Sequence, residues 1–343
     1  MKKQTRESLQ SKVKIKNKFL ANSKSSFTLI CEDTLKILSD MENNSLDLIV
    51  TSPPYNLGKD YEKDKKFTMK EYFNWQKKII KLSYKKLKKS GSVCWQVGYN
   101  NHIGVGTSRE YYPLEYDFHP IFSDAGFIMK NRIIWAFGLG SQNKNNFSTR
   151  HEVIMWYTKS ADYKFNLDSV RVLPKYPGKT STKKYFANGK ENINYGKVST
   201  NKNGKNPEDV WVDSMRSNFW EIPSVKSHHP EKYLDENGKP IHPCQFPTAL
   251  TSRLILALTD KGDLVLDPFC GLGTAGVSCA LTNRKFIGID KDKKYLNLAK
   301  VRIDEALNYD YSHIRPDRPV ADNKKNPLWK NFDFEKWELK KKV

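Results

Sequence analysis

The stretch DLVLDPFCGLGTAGVSCAL (residues 263–281) admits few architectures. An apolar run leads into Asp267 and Pro268, and the proline, with no N–H for a ladder, ends the strand. Gly271 and Gly273 then let backbone approach a ligand, and small residues follow at helical length. Strand, glycine-rich turn and helix in this order describe the binding edge of an open, mostly parallel sheet. The next apolar run, RKFIGID, ends at Asp290, about 20 positions after the loop, where such folds hold ribose hydroxyls.

The flanking sequence repeats the alternation. FTLICEDTLKILSDM (residues 27–41) reads as strand, turn and helix, and SLDLIV (45–50) as a second strand. MKEYFNWQKKIIKLSYKKLKKSG (69–91) has helical spacing, with Gly91 as the expected C-cap. SVCWQVG reads as a strand, PLEYDFHPIFSDAGF as a helix, and RIIWAFG and HEVIMWYT as two more strands. FPTALTSRLILALTDKG (246–262) is a helix opened by Pro247. The class is α/β, with a mostly parallel sheet. From about Ser160 the pattern breaks into a region rich in Lys, Asn, Gly and Tyr, too long for an ordinary connection. The expected organisation is a basic tail (1–26), a first half-domain (27–159), a variable insert (160–240), a second half-domain (241–310) and a second basic tail (311–343).

A second strand end carries its own signal. In LIVTSPPYNLGKDY (residues 48–61) two prolines follow an apolar run, between Ser52 and Tyr55. A turn needs one proline at most, so the pair marks a rigid loop displayed at the end of a strand.

Composition bears on partners. The formal charge is +21 (59 Lys+Arg against 38 Asp+Glu), and 12% of residues are aromatic. Basic residues interleaved with aromatics suit phosphate contact and base stacking, although a lysine-rich coding bias produces the same excess. The five cysteines form no CxxC pair and no disulfide framework, which suits a reducing cytosol. His228, His229 and His242 lie near Cys244, but without zinc spacing, and no metal is expected. No secretory core and no membrane-length apolar run is visible, so the expected location is the cytoplasm, away from membranes.

The ligand of the glycine loop can be narrowed from its neighbours. G-x-G-x-x-G matches literally from Gly271 to Gly276, which keeps a dinucleotide in view. The preceding Asp267-Pro268-Phe269 favours a different ligand. A carboxylate there would crowd a pyrophosphate and suits a cation, and S-adenosylmethionine offers a sulfonium, an ammonium and a ribose.

With both loops in hand, the chain resembles the amino-methylating DNA methyltransferases, which modify the N4 amine of cytosine or the N6 amine of adenine. TSPPY matches their catalytic motif, DPFCGLGT their cofactor motif, and HPCQFP (residues 242–247) the motif before the cofactor strand. The order, catalytic motif, long variable region, cofactor motif, is similar to that of the β group. The likeness covers about residues 27–307. It implies a class I methyltransferase, Rossmann-like sheet of seven strands, the seventh antiparallel. That sheet would be circularly permuted, with an inserted target-recognition region.

The resemblance also assigns roles. Ser52 Oγ and the Pro53 carbonyl would accept from the two amine N–H groups, Pro53 and Pro54 would hold the loop rigid, and Tyr55 would stack on a flipped base. Asp267 would lie near the methionine part of the donor, with Pro268, Phe269, Gly271, Gly273 and Thr274 lining the same pocket. Asp290 would accept from the ribose. Asp33 would meet the adenine amine or serve as a helix N-cap, and His242 would close the methionine end or make a local hydrogen bond. Serine at the first motif position is typical of cytosine-N4 enzymes, so that base is preferred, with adenine N6 the alternative.

The implied partners are double-stranded DNA and, genetically, a cognate restriction endonuclease, and β-group relatives often form homodimers. For an RNA or protein methyltransferase, the relatives that modify glutamine in release factors carry Asn at the first motif position and have their cofactor motif first, and neither holds here. A catalytically dead DNA-binding protein would not need both motifs intact.

Overall fold

The computed structural model describes residues 18–20, 26–58, 67–100, 111–137, 144, 147–172, 180–186, 188–197, 204–212, 222, 224–225, 231–242 and 244–308. In chain order the strands are β1 (Lys18–Leu20), β2 (Phe27–Cys31), β3 (Leu46–Thr51), β4 (Leu87–Val97), β5 (Tyr99–Asn100) and β6 (Tyr112–Pro113). They continue with β7 (Ile128–Ala136), β8 (His151–Thr158), β9 (Val210–Val212), β10 (Leu264–Asp267) and β11 (Lys285–Asp290). The helices are α1 (Thr34–Asp40), α2 (Met69–Lys86), α3 (Glu115–Asp124), α4 (Thr248–Leu258), α5 (Thr274–Thr282) and α6 (Lys293–Leu307).

One sheet organises the chain, in the order β1-β2-β11-β10-β3-β4-β8-β7-β9. From β2 to β4 all neighbours are parallel, and β8 runs antiparallel to both β4 and β7. These seven strands, β2 to β7 in spatial order, are the expected class I sheet with its one reversed strand. The two strands latest in sequence, β10 and β11, fill the middle, between β2 and β3, which is the permutation. Two edge strands bring the sheet to nine: β1 from the segment read as an N-terminal tail, and β9 from the insert. Residues 1–17, 309–343 and parts of the insert (173–179, 187, 198–203, 213–221, 223 and 226–230, with His228 and His229) lie outside the described residues.

Helices cover both faces, and the strands between them show it. Every residue of β3 is buried, as expected for a strand with no solvent face. Beyond the register shift between Leu46 and Leu48 its side chains alternate, and Leu48 and Val50 pack with Leu250, Leu254, Val277 and Ile303 of α4, α5 and α6. Leu46 and Ile49 pack on the other face with Ile37, Ile79, Ile80 and Phe118 of α1, α2 and α3.

Local chemistry starts the helices where the sequence places them. Asp33 caps α1, Thr68 and Glu71 form a capping box on α2, and Asp292 caps α6. The end of α2 departs from expectation. The helix stops at Lys86, and Leu87 opens β4 by pairing with Leu46. Gly91 is therefore a strand residue at a register shift, where a Cβ would come 2.9 Å from Leu87 Cδ2 and 3.0 Å from the Lys88 carbonyl. Sheet pairing overrides the helical spacing of this segment.

Candidate active site

Strands β3 and β10 are parallel neighbours, with Leu48 opposite Val265 and Ile49 opposite Leu266. Their carboxyl ends emerge together, so TSPPY and DPFCGLGT, 216 residues apart, become adjacent loops. Between them lies a cavity of about 850 Å³. Of the expected site residues, Ser52, Pro53, Pro54, Tyr55, His242, Pro268, Phe269, Gly271, Thr274 and Asp290 line it. Asp33, Asp267 and Gly273 do not reach its wall.

The TSPPY loop is held from outside the motif. Tyr72 Oη donates to the Pro54 carbonyl at 2.8 Å. Asn100 Nδ2 donates to the Tyr55 and Asn56 carbonyls at 2.9 and 3.0 Å. Inside the cavity Ser52 Oγ lies 3.2 Å from Tyr55 Oη, which donates to Glu152 Oε2 at 3.3 Å. Gln96 Nε2 donates to the same oxygen at 2.5 Å. Burial pushes the Glu152 carboxyl above the usual carboxylate range, against the pull of these two donors.

The glycine loop is built differently. Asp267 is fully buried, and its Oδ1 accepts from Thr51 Oγ1 at 2.6 Å and from the Phe269 N–H at 3.1 Å. Its Oδ2 is buried without a hydrogen-bond partner among the described residues. Burial raises the carboxyl to about 7. Asp267 thus ties the two loops together from beneath the cavity floor. Phe269 extends over Trp75 and Trp95, with ring centroids 5.5 and 6.1 Å apart. Gly273 precedes α5 with φ +72°, and a Cβ there would meet Ala299 Cβ at 2.7 Å, so only glycine fits.

Asp290, at the end of β11, lines the cavity while its two oxygens accept from the Gly271 and Asp292 N–H groups at 2.8 and 2.9 Å. Arg302, buried in α6, supports the loop by donating to the Leu272 carbonyl at 2.5 Å and to Thr274 Oγ1 at 3.2 Å. Asp33 caps α1 and pairs with Lys291 at 2.8 Å, and the neighbouring Thr34 takes its place at the cavity wall.

His242 stacks edge-on to Tyr295 and accepts at Nδ1 from the Cys244 N–H at 3.2 Å, which leaves the proton of the neutral ring on Nε2. Burial, then Lys232 and Arg302, lower its pKa to about 4. The ring lies against Gly271, where a Cβ would stand 3.3 Å from Nε2.

Sequence reading missed Thr51, Tyr72, Gln96, Asn100 and Glu152. Tyr72, Gln96 and Asn100 are ordinary helix or strand residues that no motif marks, and Thr51 opens TSPPY without a role of its own being assigned there. Glu152 did leave a signal, as a carboxylate immediately before the apolar run VIMWY of the strand HEVIMWYT.

Residues 46–301 match the model of a family described as DNA methylase, covering both N6 and N4 amino-methylating members. The chain is 38% identical over 267 residues to the type II methyltransferase M.BglII of Bacillus subtilis, spanning 78% of this chain and 66% of that protein. It is 35% identical over 282 residues to M.HpaI of Haemophilus parainfluenzae, spanning 82% and 75%. Among solved structures, PvuII DNA methyltransferase, cytosine-N4-specific, superposes with a TM-score of 0.58 at 19% identity. That likeness covers 85% of this chain and 94% of the other, and speaks to the fold.

Proposed function

The chain belongs to the N6/N4 DNA methylase family, with the β-group order of motifs, and we propose that it methylates an exocyclic base amine at a defined site in duplex DNA. The observation that carries this reading is the meeting of two strand-end loops, TSPPY and DPFCGLGT, on one cavity.

S-adenosylmethionine is the cofactor of the family, and when bound it supplies a methyl group activated by a sulfonium. The cavity residues fit it. Gly271, with φ +49° and no Cβ, packs against the His242 ring and brings backbone to the cavity wall, and Asp290 keeps lone pairs for hydroxyl donors beyond the two backbone N–H groups it already accepts from. The neutral His242 adds no positive charge beside a cationic ligand.

On the other side, an exocyclic amine is a poor nucleophile because its lone pair is delocalised into the ring. Ser52 Oγ and the Pro53 carbonyl would accept its two N–H groups and pull the nitrogen toward tetrahedral geometry, with the lone pair freed for attack. The prolines, and the bonds from Tyr72 and Asn100, fix these acceptors beforehand, so no reorganisation is needed during reaction. Tyr55 and the aromatic residues Trp75, Trp135 and Phe137 give the flipped base apolar walls.

The finer reading is cytosine N4, supported by serine at the first position of the catalytic motif, with adenine N6 the alternative. The insert, with Tyr185, Phe186 and Tyr195 exposed beside Lys183, Lys184 and Lys190, suits contact with the duplex. The names of M.BglII and M.HpaI, both type II methyltransferases, support a restriction–modification setting with a cognate endonuclease. The test is to express the chain in a host free of modification and sequence the genomic DNA for modified bases. One short motif carrying N4-methylcytosine is expected. N6-methyladenine would overturn the choice of base, and unmodified DNA would overturn the function.

A further inference from the structure

A row of polar groups crosses the cavity wall in the order Gln96, Glu152, Tyr55, Ser52, with successive contacts of 2.5, 3.3 and 3.2 Å. Both of the donors recorded on the Glu152 carboxyl reach Oε2. Oε1 lies on the Gly98 side, 3.5 Å from where a Cβ of that residue would stand. The carboxyl therefore has one oxygen held by the protein and a second that can carry a proton.

We propose that Glu152 reads the target base, by donating its carboxyl proton to the ring nitrogen beside the reactive amine: N3 of cytosine or N1 of adenine. The inference rests on the amino-methyltransferase reading above and names a specificity residue for it.

The argument is one of complementarity. Cytosine and adenine both present an amine donor next to a ring-nitrogen acceptor on the Watson–Crick edge. Ser52 Oγ and the Pro53 carbonyl supply acceptors for the amine, and the ring nitrogen then needs a donor. Glu152 is joined to Ser52 through the single hydroxyl of Tyr55, which sets the two groups on the same wall. Thymine and guanine carry an N–H at the ring position, which would meet the carboxyl proton head-on. A donor at this point therefore admits the two amine-bearing acceptors and rejects the other two bases.

The surroundings suit a neutral carboxyl. Tyr55 faces it from the β3 loop and Gln96 from β4, and Trp135 of β7 is its cross-strand neighbour. The adjacent His151 is engaged with Tyr99 Oη at 3.2 Å. No lysine, arginine or second carboxylate is recorded in contact with Glu152 among the described residues, and burial is the largest influence on its titration.

The experiment uses the full chain and, at the mapped site, a duplex in which the target is 3-deazacytosine or 1-deazaadenine, matching the mapped base. Carbon then replaces the ring-nitrogen acceptor while the amine stays. The wild-type enzyme should methylate this duplex at least about tenfold more slowly than the natural one. Glu152→Ala should be about as slow on the natural duplex and lose little more on the analogue. Glu152→Gln, which keeps an N–H donor, should recover most of the loss.

In the wild type, kcat/KM should fall on the alkaline side as Glu152 ionises, and this limb should be missing from Glu152→Gln. Calorimetric binding of S-adenosylmethionine checks that each variant is folded. If Glu152→Ala is not, the wild-type analogue ratio and the Gln profile decide. Equal wild-type rates on the two duplexes overturn the proposal. So does a Gln variant as slow as Ala, which would make Glu152 a proton acceptor. A wild-type enzyme inactive on every natural duplex would instead fail the parent reading, and this one with it.

Discussion

The Thr51 hydroxyl donates to the Asp267 carboxyl across 2.6 Å, joining the last residue of β3 to the last residue of β10. Both side chains are buried, at 1% and 0% exposure, so water cannot replace the bond. Thr51→Val keeps the shape and removes the donor. It should cost about 1 kcal/mol in urea unfolding, the usual net worth of one hydrogen bond, because the carboxyl oxygen keeps the Phe269 N–H. It should also slow turnover, because the two loops lose their shared anchor. Unchanged stability would mean that backbone pairing alone holds them.

The same carboxyl predicts a pH dependence. Burial holds Asp267 at about 7 in the folded chain, against about 3.9 for an unfolded aspartate. The folded state binds the proton more tightly, so the stability it contributes is complete below about pH 4 and is lost as pH rises through about 7. Unfolding free energy of the wild type minus that of Asp267→Asn should therefore fall across this window, by at most about 4 kcal/mol. A difference that grows with pH would mean a carboxylate stabilised as the anion.

His242 carries the opposite sense. Its folded pKa is about 4, below the 6.5 of an ordinary histidine, so its contribution is present above about pH 6.5 and is lost as pH falls through about 4. Acid unfolding of His242→Gln should start at a lower pH than in the wild type. From pH 6 to 8 the donor affinities of the wild type and His242→Gln, measured by calorimetry, should follow the same pH profile, because the ring stays neutral there.

Ser52→Ala removes one of the two acceptors proposed for the amine. Turnover should drop roughly 100-fold, as for loss of one preorganised group at a reacting centre. Binding of S-adenosylmethionine, read by calorimetry, should stay near wild type. Wild-type turnover in this variant would take Ser52 out of the mechanism.

The insert predicts a salt effect. Replacing Lys183, Lys184 and Lys190 together by alanine should weaken DNA binding while keeping the methylated motif. If each meets a phosphate, the slope of log affinity against log salt should become shallower by up to about 3, near 0.9 for each phosphate no longer neutralised. An unchanged slope would move the DNA to another face.

Much of the fold was legible because its signals are local. Apolar runs of strand length, the proline after Asp267 and the glycine at 273 are each dictated by backbone chemistry within a few residues. The edge strands β1 and β9 were not legible: three-residue segments carry no periodicity, and their pairing depends on the neighbour already being in place. For the same reason α2 gives way to β4 at Leu87, where pairing with Leu46 outweighs helical spacing that runs on to Gly91.

The chain's own sequence determined the two loops, their residue chemistry and the family they belong to, because motif and backbone constraint act over short range. Which side chains the loops share follows from how the strands pair. Parallel pairing of β3 with β10 brings Thr51 against Asp267, and antiparallel pairing of β8 with β4 carries Glu152 to Gln96 and Tyr55. These bonds join residues 56 to 216 positions apart. They arise from sheet register, which is set by the packing of both faces of the sheet at once and is written in no single stretch of sequence.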